Sequence, residues 1–206
     1  IHNPYPTLEE QIILFPFEVR ENPTLDDVVS VIRFSKETDY NLILNLRFSG
    51  ASIPKHIHFQ GHKTYFPVTD QAKAEFLLEK GGIIVRRLSF PSYSIRLEGD
   101  ETEIAETILE LAQISMPYNL FINQGNVNFI PRCKEIPSNL GTWQFGATEV
   151  SGLFFPRNFE QYQSLSLEEL EGALEEATFN SKKELIEKFE ADLFSILTRK
   201  NRYGKK

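Results

Sequence analysis

Short apolar runs bounded by proline, glycine or asparagine alternate along this chain with segments that begin on helix-capping residues. Runs such as Tyr40–Leu46 and Tyr118–Asn123 have the composition and length typical of strands. The segments that begin at Thr24, Asp100 and Ser166 place a capping oxygen ahead of acidic residues, which is typical of a helix N-terminus. The alternation predicts an α+β fold, arranged as two related halves.

The same patterns set expected bounds for the individual elements. Strands are predicted at Ile12–Phe17, Tyr40–Leu46, His56–Pro67, and on both sides of Pro91 between Ile83 and Leu97. A hairpin is predicted from Tyr118–Asn123 and Asn126–Pro131 around Gln124-Gly125. Helices are predicted at Thr24–Thr38, at Asp70–Lys80 with Gly81 as its C-cap, and after Asp100, Ser166 and Ser181. We expect halves at residues 1–98 and 99–206, packed as one unit.

Composition excludes several classes of function. The chain has 206 residues with 22 Lys and Arg against 29 Asp and Glu, a net charge of −7. A general nucleic-acid binder needs a positive field, although a local phosphate site remains compatible with an acidic chain. No apolar run approaches the roughly 18–20 residues of a membrane span. The single cysteine, Cys133, excludes an intrachain disulfide and a cysteine-based zinc cage.

The beginning of the chain sets two expectations. Residue 1 is Ile1 and the one methionine is Met116, so we expect a chain processed, trimmed or cut from a longer one. No charged end followed by an apolar run marks a signal peptide, and a cytoplasmic location is therefore expected.

One constellation carries chemistry, the segment His56-Ile57-His58-Phe59-Gln60. Side chains two apart on a strand share a face, so His56, His58 and Gln60 are predicted to project together. Ile57 and Phe59 then project to the opposite side, into the core. Two imidazoles and an amide on one face of a strand, with apolar side chains on the other, form a set of groups that can bind and react with a phosphoryl group.

The chemistry of these side chains favours group transfer. A neutral imidazole is a competent nucleophile near pH 7, and its neighbours must fix its tautomer and stabilise oxygen charge. The loop Ser49–Ser52 offers backbone N–H groups that can approach an anion closely. Gln60 can donate a hydrogen bond but cannot deliver a catalytic proton. That difference favours transfer to a phosphate or sugar phosphate over hydrolysis.

Two other interpretations of the histidines stay open at this point. The pair can be polar residues partly exposed on a strand face, or a His-x-His metal pair with His62 as third ligand. In a regular strand His62 faces the same side but lies about 13 Å from His58. The spacing from Gly50 to His58 also matches the opening of the cupin metal motif, although Gly61, His62 and Lys63 stand where its glutamate is expected.

The motif resembles the HxHxQ signature of the transferase branch of the histidine-triad superfamily. That branch includes galactose-1-phosphate uridylyltransferase, diadenosine tetraphosphate phosphorylase and GDP-hexose phosphorylases. The surroundings agree with the resemblance through Asn45 eleven residues before His56, the loop Ser49–Ser52, and Asn3-Pro-Tyr-Pro6 ahead of an apolar-proline pair, Phe15-Pro16. The second half is similar at Pro117–Asn123, Phe129–Arg132 and Glu149–Gly152. Members of the family carry strands before the Asn-x-x-Pro element that help to build the base pocket, and this sequence starts at Ile1.

The resemblance implies an antiparallel sheet with flanking helices and a set of roles. His58 is the nucleophile, His56 holds it in place, and Gln60 donates to the phosphoryl oxygens. The nucleotide and phosphate contacts that the resemblance implies are Asn45, Gly50, Ala51, Ser52 and Asn3. No cofactor is expected, and a divalent metal has no recognisable ligand set here.

The expected activity is that of a nucleotidyltransferase or phosphorylase of EC 2.7.7 type. It would act on a nucleoside diphosphate sugar or a dinucleoside polyphosphate through a covalent nucleotidyl-histidine, with phosphate or a sugar phosphate as acceptor. Neither nucleic acid nor membrane is expected as a partner, and a homodimer is compatible with the architecture. The alternatives are a non-catalytic nucleotide-binding module and a metal-dependent cupin-like protein.

Overall fold

The computed structural model describes residues 10–51, 53–70, 72–114, 117–156, 158–180 and 182–200. The strands are β1 (Ile12–Leu14), β2 (Asn41–Asn45), β3 (Phe59–His62), β4 (Lys73–Lys80), β5 (Ile83–Ser89), β6 (Ser94–Gly99), β7 (Tyr118–Asn123) and β8 (Asn126–Pro131). The helices are α1 (Leu25–Glu37), α2 (Pro67–Asp70), α3 (Glu101–Ala112), α4 (Ala147–Val150), α5 (Phe159–Ser164), α6 (Leu167–Ala177) and α7 (Lys183–Lys200), with a 3-10 turn at Ser138–Leu140. No described helix has the length and apolarity needed to cross a bilayer.

The described strands form one antiparallel sheet in the order β1-β3-β2-β7-β8-β6-β5-β4. The hairpin β7-β8, which follows residue 98, lies between strands that precede it, because β2 pairs with β7 and β6 pairs with β8. The α+β class, the antiparallel sheet and the flanking helices are therefore as predicted. The division into halves at residues 98 and 99 stays a prediction.

The two faces of the sheet have different coverings. Leu42 and Leu44 of β2 belong to a large apolar core that also contains α1, α3 and α7 side chains. Ile43, between them, points to the other face and joins a second apolar cluster with Phe66, Phe145 and residues of α4 and α6. The second face also carries Asn, Gln and His side chains. These polar side chains therefore lie on the face of the sheet opposite to the one that α1, α3 and α7 cover.

Local capping chemistry fixes the helix starts as predicted. Thr24 and Asp27 form a reciprocal capping box at α1, and Ser166 with Glu169 forms one at α6. The Asp100 carboxylate accepts from the backbone N–H groups of the first turn of α3. Ser181, the predicted cap of α7, lies outside the described residues. The caps at Thr24, Asp100 and Ser166 satisfy N–H groups that have no partner inside the helix.

The predicted helix at Asp70–Lys80 is wrong. Residues Lys73–Lys80 form the edge strand β4, which pairs with β5 through a turn at Gly81 and Gly82. Both glycines have positive φ, +61° and +80°, which is the conformation of a tight hairpin turn. A glycine after an apolar run indicates a helix end or a hairpin equally well, and here the pairing with β5 decides between them.

The predicted strand at His56–Pro67 is also too long. Strand β3 covers Phe59–His62, so His56 and His58 precede it. Ile57 and Phe59 are buried in the main core, as the alternation predicted. The chain ahead of β3 is fixed by Ile57, whose N–H donates to Arg20 O at 2.8 Å, rather than by pairing with a neighbouring strand.

Candidate functional site

The site lies where the end of β2 meets the beginning of β3. Leu44 pairs with Phe59 in the antiparallel register, and Asn45 and His58 are the next residues outward on the two strands. Adjacent strands lie about 4.8 Å apart. Asn45 and His58 therefore lie close together at one edge of the second sheet face.

The His58 imidazole is held in one orientation by the backbone of the same segment. Its Nδ1 lies 3.1 Å from the carbonyl oxygen of His56. A carbonyl only accepts, so Nδ1 carries a proton, and in the neutral ring Nε2 is then the nitrogen with the lone pair. The His58 side chain is largely buried, with 9% of its surface exposed. The ring is therefore held in one orientation, as a histidine nucleophile requires.

Gln60 reaches the free nitrogen of that imidazole. Its Nε2 lies 3.5 Å from His58 Nε2, at the outer limit of a hydrogen bond, so the interaction is easily exchanged for one with a ligand. Gln60 Oε1 accepts from Gln11 Nε2 at 3.3 Å, which turns the amide nitrogen toward His58. Gln11 escaped the sequence analysis, because its proximity depends on the pairing of β1 with β3.

His56 contributes its carbonyl and its packing to the site. Its ring meets Phe15 edge-on at 5.8 Å between centroids, and its Nε2 is buried without a hydrogen-bond partner. The structure thus places the ring of His56 against an aromatic side chain, while its backbone carbonyl holds His58.

Asn45 is bound on its oxygen side from two directions. Its Oδ1 accepts from the Ala147 N–H at 2.6 Å and from Asn119 Nδ2 at 2.9 Å. The oxygen of the side-chain amide is thereby saturated, and the amide nitrogen is the group left to donate. The predicted phosphate contact is therefore a hydrogen-bond donor in this structure.

Behind Asn45 lies a buried polar group that the sequence analysis missed. Arg132 Nη1 donates to Asn119 Oδ1 at 2.6 Å and to the carbonyl of Phe145, while Nη2 and Nε donate to the carbonyls of Lys134 and Ala177. Burial lowers the pKa of Arg132 to about 10, so it remains charged at neutral pH. Burial also raises the pKa of the nearby Glu149 carboxyl. An arginine so fully enclosed gives no periodic signal, and its sequence neighbours alone do not reveal its partner.

The predicted phosphate loop is tightly packed at Gly50. Gly50 has φ of +93°, and a Cβ there would lie 2.4 Å from Gly146 Cα, so the position requires glycine. Its N–H donates to Glu135 Oε1 at 2.9 Å, and an anion bound at that N–H would have to displace the carboxylate. Ala51 is half-buried beside it. Ser52 and Asn3, the other predicted contacts, lie outside the described residues.

His62 is separated from this chemistry although it shares the strand. Both of its ring nitrogens are buried without a hydrogen-bond partner, and its ring lies 6.2 Å from that of Phe66. Burial lowers its pKa to about 4. Within the described ranges, no group of three or more His, Cys, Asp or Glu side chains is arranged to hold a metal ion.

A pocket of about 340 Å³ opens beside the motif, between β1, β3 and α1. Phe59 lines it, and so does Phe15, which contacts His56. Its other walls are mainly apolar, with Asp26 and Asp27 as its charged members. Phe59 belongs to the main apolar core, so the pocket opens on the face of the sheet that α1 covers, opposite to the face that carries His58 and Gln60.

Comparison with known proteins gives a match at the level of structure. No family model matches the chain, and no curated protein sequence matches it. The fold is similar to that of yeast Ap4A phosphorylase Apa2 in complex with AMP and in complex with Ap4A, each with a TM-score of 0.64, 16% identity, and coverage of 87% of this chain and 72% of that one. A further structure of the same enzyme has a TM-score of 0.63 and 17% identity, with coverage of 87% of this chain and 73% of that one. At this level of identity the likeness shows the fold, an antiparallel sheet with flanking helices, which is the fold that the motif resemblance implied.

Proposed function

We propose that this protein is a nucleotidyl-transferring phosphorylase that cleaves a dinucleoside polyphosphate or a nucleoside diphosphate sugar through a covalent nucleotidyl-His58. The observation that carries the proposal is the His58 ring, with Nδ1 bonded to the His56 carbonyl and Nε2 facing the Gln60 amide. The fold it shares with an Ap4A phosphorylase supports a dinucleoside polyphosphate as the first substrate to test.

In the first step, Nε2 of His58 attacks the α-phosphorus of the nucleotide. The N–P bond forms, and the electron pair of the bridging P–O bond leaves with the departing phosphate or nucleotide. The imidazole becomes positively charged, and the hydrogen bond from Nδ1 to the His56 carbonyl stabilises that charge. Gln60 and Asn45 present amide N–H donors to the oxygens on which negative charge develops.

In the second step, an oxygen of inorganic phosphate or of a sugar phosphate attacks the same phosphorus. The P–N bond breaks, its electron pair returns to His58, and a nucleoside diphosphate or a nucleotide sugar is released. The leaving groups in both directions are phosphates or imidazole, which depart with little need for a proton. The Gln60 amide can donate a hydrogen bond but cannot transfer a proton. A glutamine at this position therefore favours phosphate over water as the acceptor.

The experiment measures products and the covalent intermediate together. The purified protein is incubated with Ap4A and inorganic phosphate, and in parallel with nucleotide sugars and hexose phosphates. We expect ADP and ATP as products from Ap4A. We also expect the intact mass of the protein to rise by one AMP, and peptide mass spectrometry to locate that AMP on the peptide carrying His58.

The control is His58→Ala, which should lose both the adduct and the turnover. Turnover that survives in His58→Ala would overturn the mechanism. AMP binding without turnover or adduct in the unmodified protein would identify a non-catalytic nucleotide-binding module instead.

A further inference from the structure

We infer that Asn119, held by Arg132, is a positioning residue that fixes the Asn45 amide so that it can only donate at the His58 face. The inference rests on the proposed function, because it assigns to Asn45 a ligand oxygen that lacks a proton. It adds two residues of the second half to a site that the motif places in the first.

The Arg132 guanidinium determines how the side-chain amides of Asn119 and Asn45 are oriented. Its side chain is 2% exposed, and every group to which it is hydrogen-bonded is a neutral oxygen. The N–H groups of a guanidinium only donate. Asn119, which is fully buried, must therefore turn its Oδ1 toward Arg132, and its Nδ2 points away from the charge.

The Asn119 amide nitrogen then fixes two parts of the site. It lies 2.9 Å from Asn45 Oδ1 and 2.8 Å from the carbonyl oxygen of Ser49, the first residue of the predicted phosphate loop. The backbone N–H of Ala147 adds a second donor to Asn45 Oδ1 at 2.6 Å. A rotated Asn45 amide would place its own N–H groups against both donors. The strand end and the loop are thereby held by one side chain.

Donation thus runs in one direction, from Arg132 to Asn119 to Asn45 and outward. A group that meets the Asn45 nitrogen must be an acceptor, and an unprotonated phosphoryl oxygen is the strongest acceptor that a nucleotide offers. If Asn45 were free to rotate, its oxygen could equally accept from a ribose hydroxyl. The buried hydrogen-bond chain from Arg132 through Asn119 to Asn45 therefore selects the phosphoryl group. Preorganised donors of this kind stabilise negative charge most strongly where water is excluded.

The test uses Asn119→Asp, which keeps an acceptor for Arg132 and removes the donor to Asn45. The first readout needs no ligand: the side-chain amide signals of Asn45 in ¹⁵N NMR spectra, assigned by their loss in Asn45→Ala. We expect these signals to shift in Asn119→Asp. The second readout is kcat for the best substrate, expected to fall about tenfold to a hundredfold. In an Asn45→Ala background the same substitution should have no further effect on kcat.

A matched control is Asn128→Asp on the same face of the sheet. Asn128 is 1% exposed, and its Oδ1 also accepts from an arginine, Arg96 Nε at 3.0 Å. It lies in β8 opposite Phe121 rather than beside Asn45. The control should leave the Asn45 signals and kcat unchanged, since it places the same new charge beside an arginine at a different point of the face.

The outcomes separate the two proposals. Unmoved Asn45 signals in Asn119→Asp, or equal shifts in Asn128→Asp, would overturn the positioning role whatever the activity. A full loss of kcat that persists in the Asn45→Ala background would also overturn it. Absence of turnover in the unmodified protein would overturn the proposed function, while the NMR result would still decide how Asn45 is held. Should Asn119→Asp fail to fold, Arg132→Lys perturbs Asn119 from the other side and is expected to shift the same signals.

Discussion

His58 immediately precedes β3 and His62 ends it, and the surroundings of these two histidines differ in every respect that matters for chemistry. His58 has a partner or neighbour for each ring nitrogen and keeps 9% of its surface exposed. His62 is 2% exposed, has no partner for either nitrogen, and packs against Phe66. Both belong to the same alternating series along the chain.

The difference comes from what covers the second face of the sheet. Phe66, at the start of the segment that leads into α2, joins Ile43 and Phe121 in an apolar cluster next to His62. At the other end of β3 the neighbours are polar: Gln60, Asn45 and the carbonyl of His56. The same residue type is therefore a candidate nucleophile at one end and a neutral core residue at the other.

The largest expected effect is on catalysis by leucine variants of the two histidines. His58→Leu removes the proposed nucleophile and should lower kcat by at least about a thousandfold. His62→Leu should leave kcat within about threefold, because His62 touches no proposed substrate group. Steady-state rates with Ap4A and phosphate measure both variants, and similar losses in the two would contradict the contrast.

A smaller effect is expected on the choice of acceptor at the reactive end. Gln60→His places a group that can deliver a proton beside His58, so the share of water as acceptor should rise about tenfold. The measurement is the ratio of AMP to ADP formed from Ap4A in phosphate buffer. Gln60→Ala is the control, which should slow both products without raising their ratio. An unchanged ratio in Gln60→His would show that acid catalysis does not decide between water and phosphate.

The smallest effect is expected on stability at the packed end. Burial lowers the pKa of His62 from 6.5 to about 4, so the unfolded chain binds a proton in this window that the folded protein excludes. Stability should therefore fall as the pH drops from about 6.5 to about 4, with a slope of at most about 1.4 kcal/mol per pH unit from this residue. Urea unfolding at several pH values measures it. The slope should be shallower in His62→Leu, and parallel curves for the two proteins would refute a buried neutral imidazole.

Features that depend on neighbours in sequence were predicted well. The N-cap at Thr24, the capping box at Ser166 and the Gln124-Gly125 hairpin turn rely on side chains and backbone angles within a few residues. The burial of Ile57 and Phe59 follows from alternation alone. These interactions are local, so the order of residues specifies them directly.

Features that depend on distant pairing were not predicted. The segment Lys73–Lys80 became a strand because β5 pairs with it, and its apolar residues are spaced irregularly around a bulge between Phe76 and Leu78. Asn119 and Arg132 were missed because their importance comes from contacts with residues remote in the chain. The bond from Asn119 to Asn45 joins positions 74 residues apart.

By itself the sequence determined the α+β class, the starts of helices α1, α3 and α6, and the burial of Ile57 and Phe59, since these rest on short periodicities and local capping residues. Tertiary structure alone decided which histidine remains available to a ligand, which way the Asn45 amide points, and that Gly50 must pass against Gly146. Those features are set by burial and by donor and acceptor geometry between distant segments. Such geometry exists only once the sheet has brought β2, β3 and β7 together.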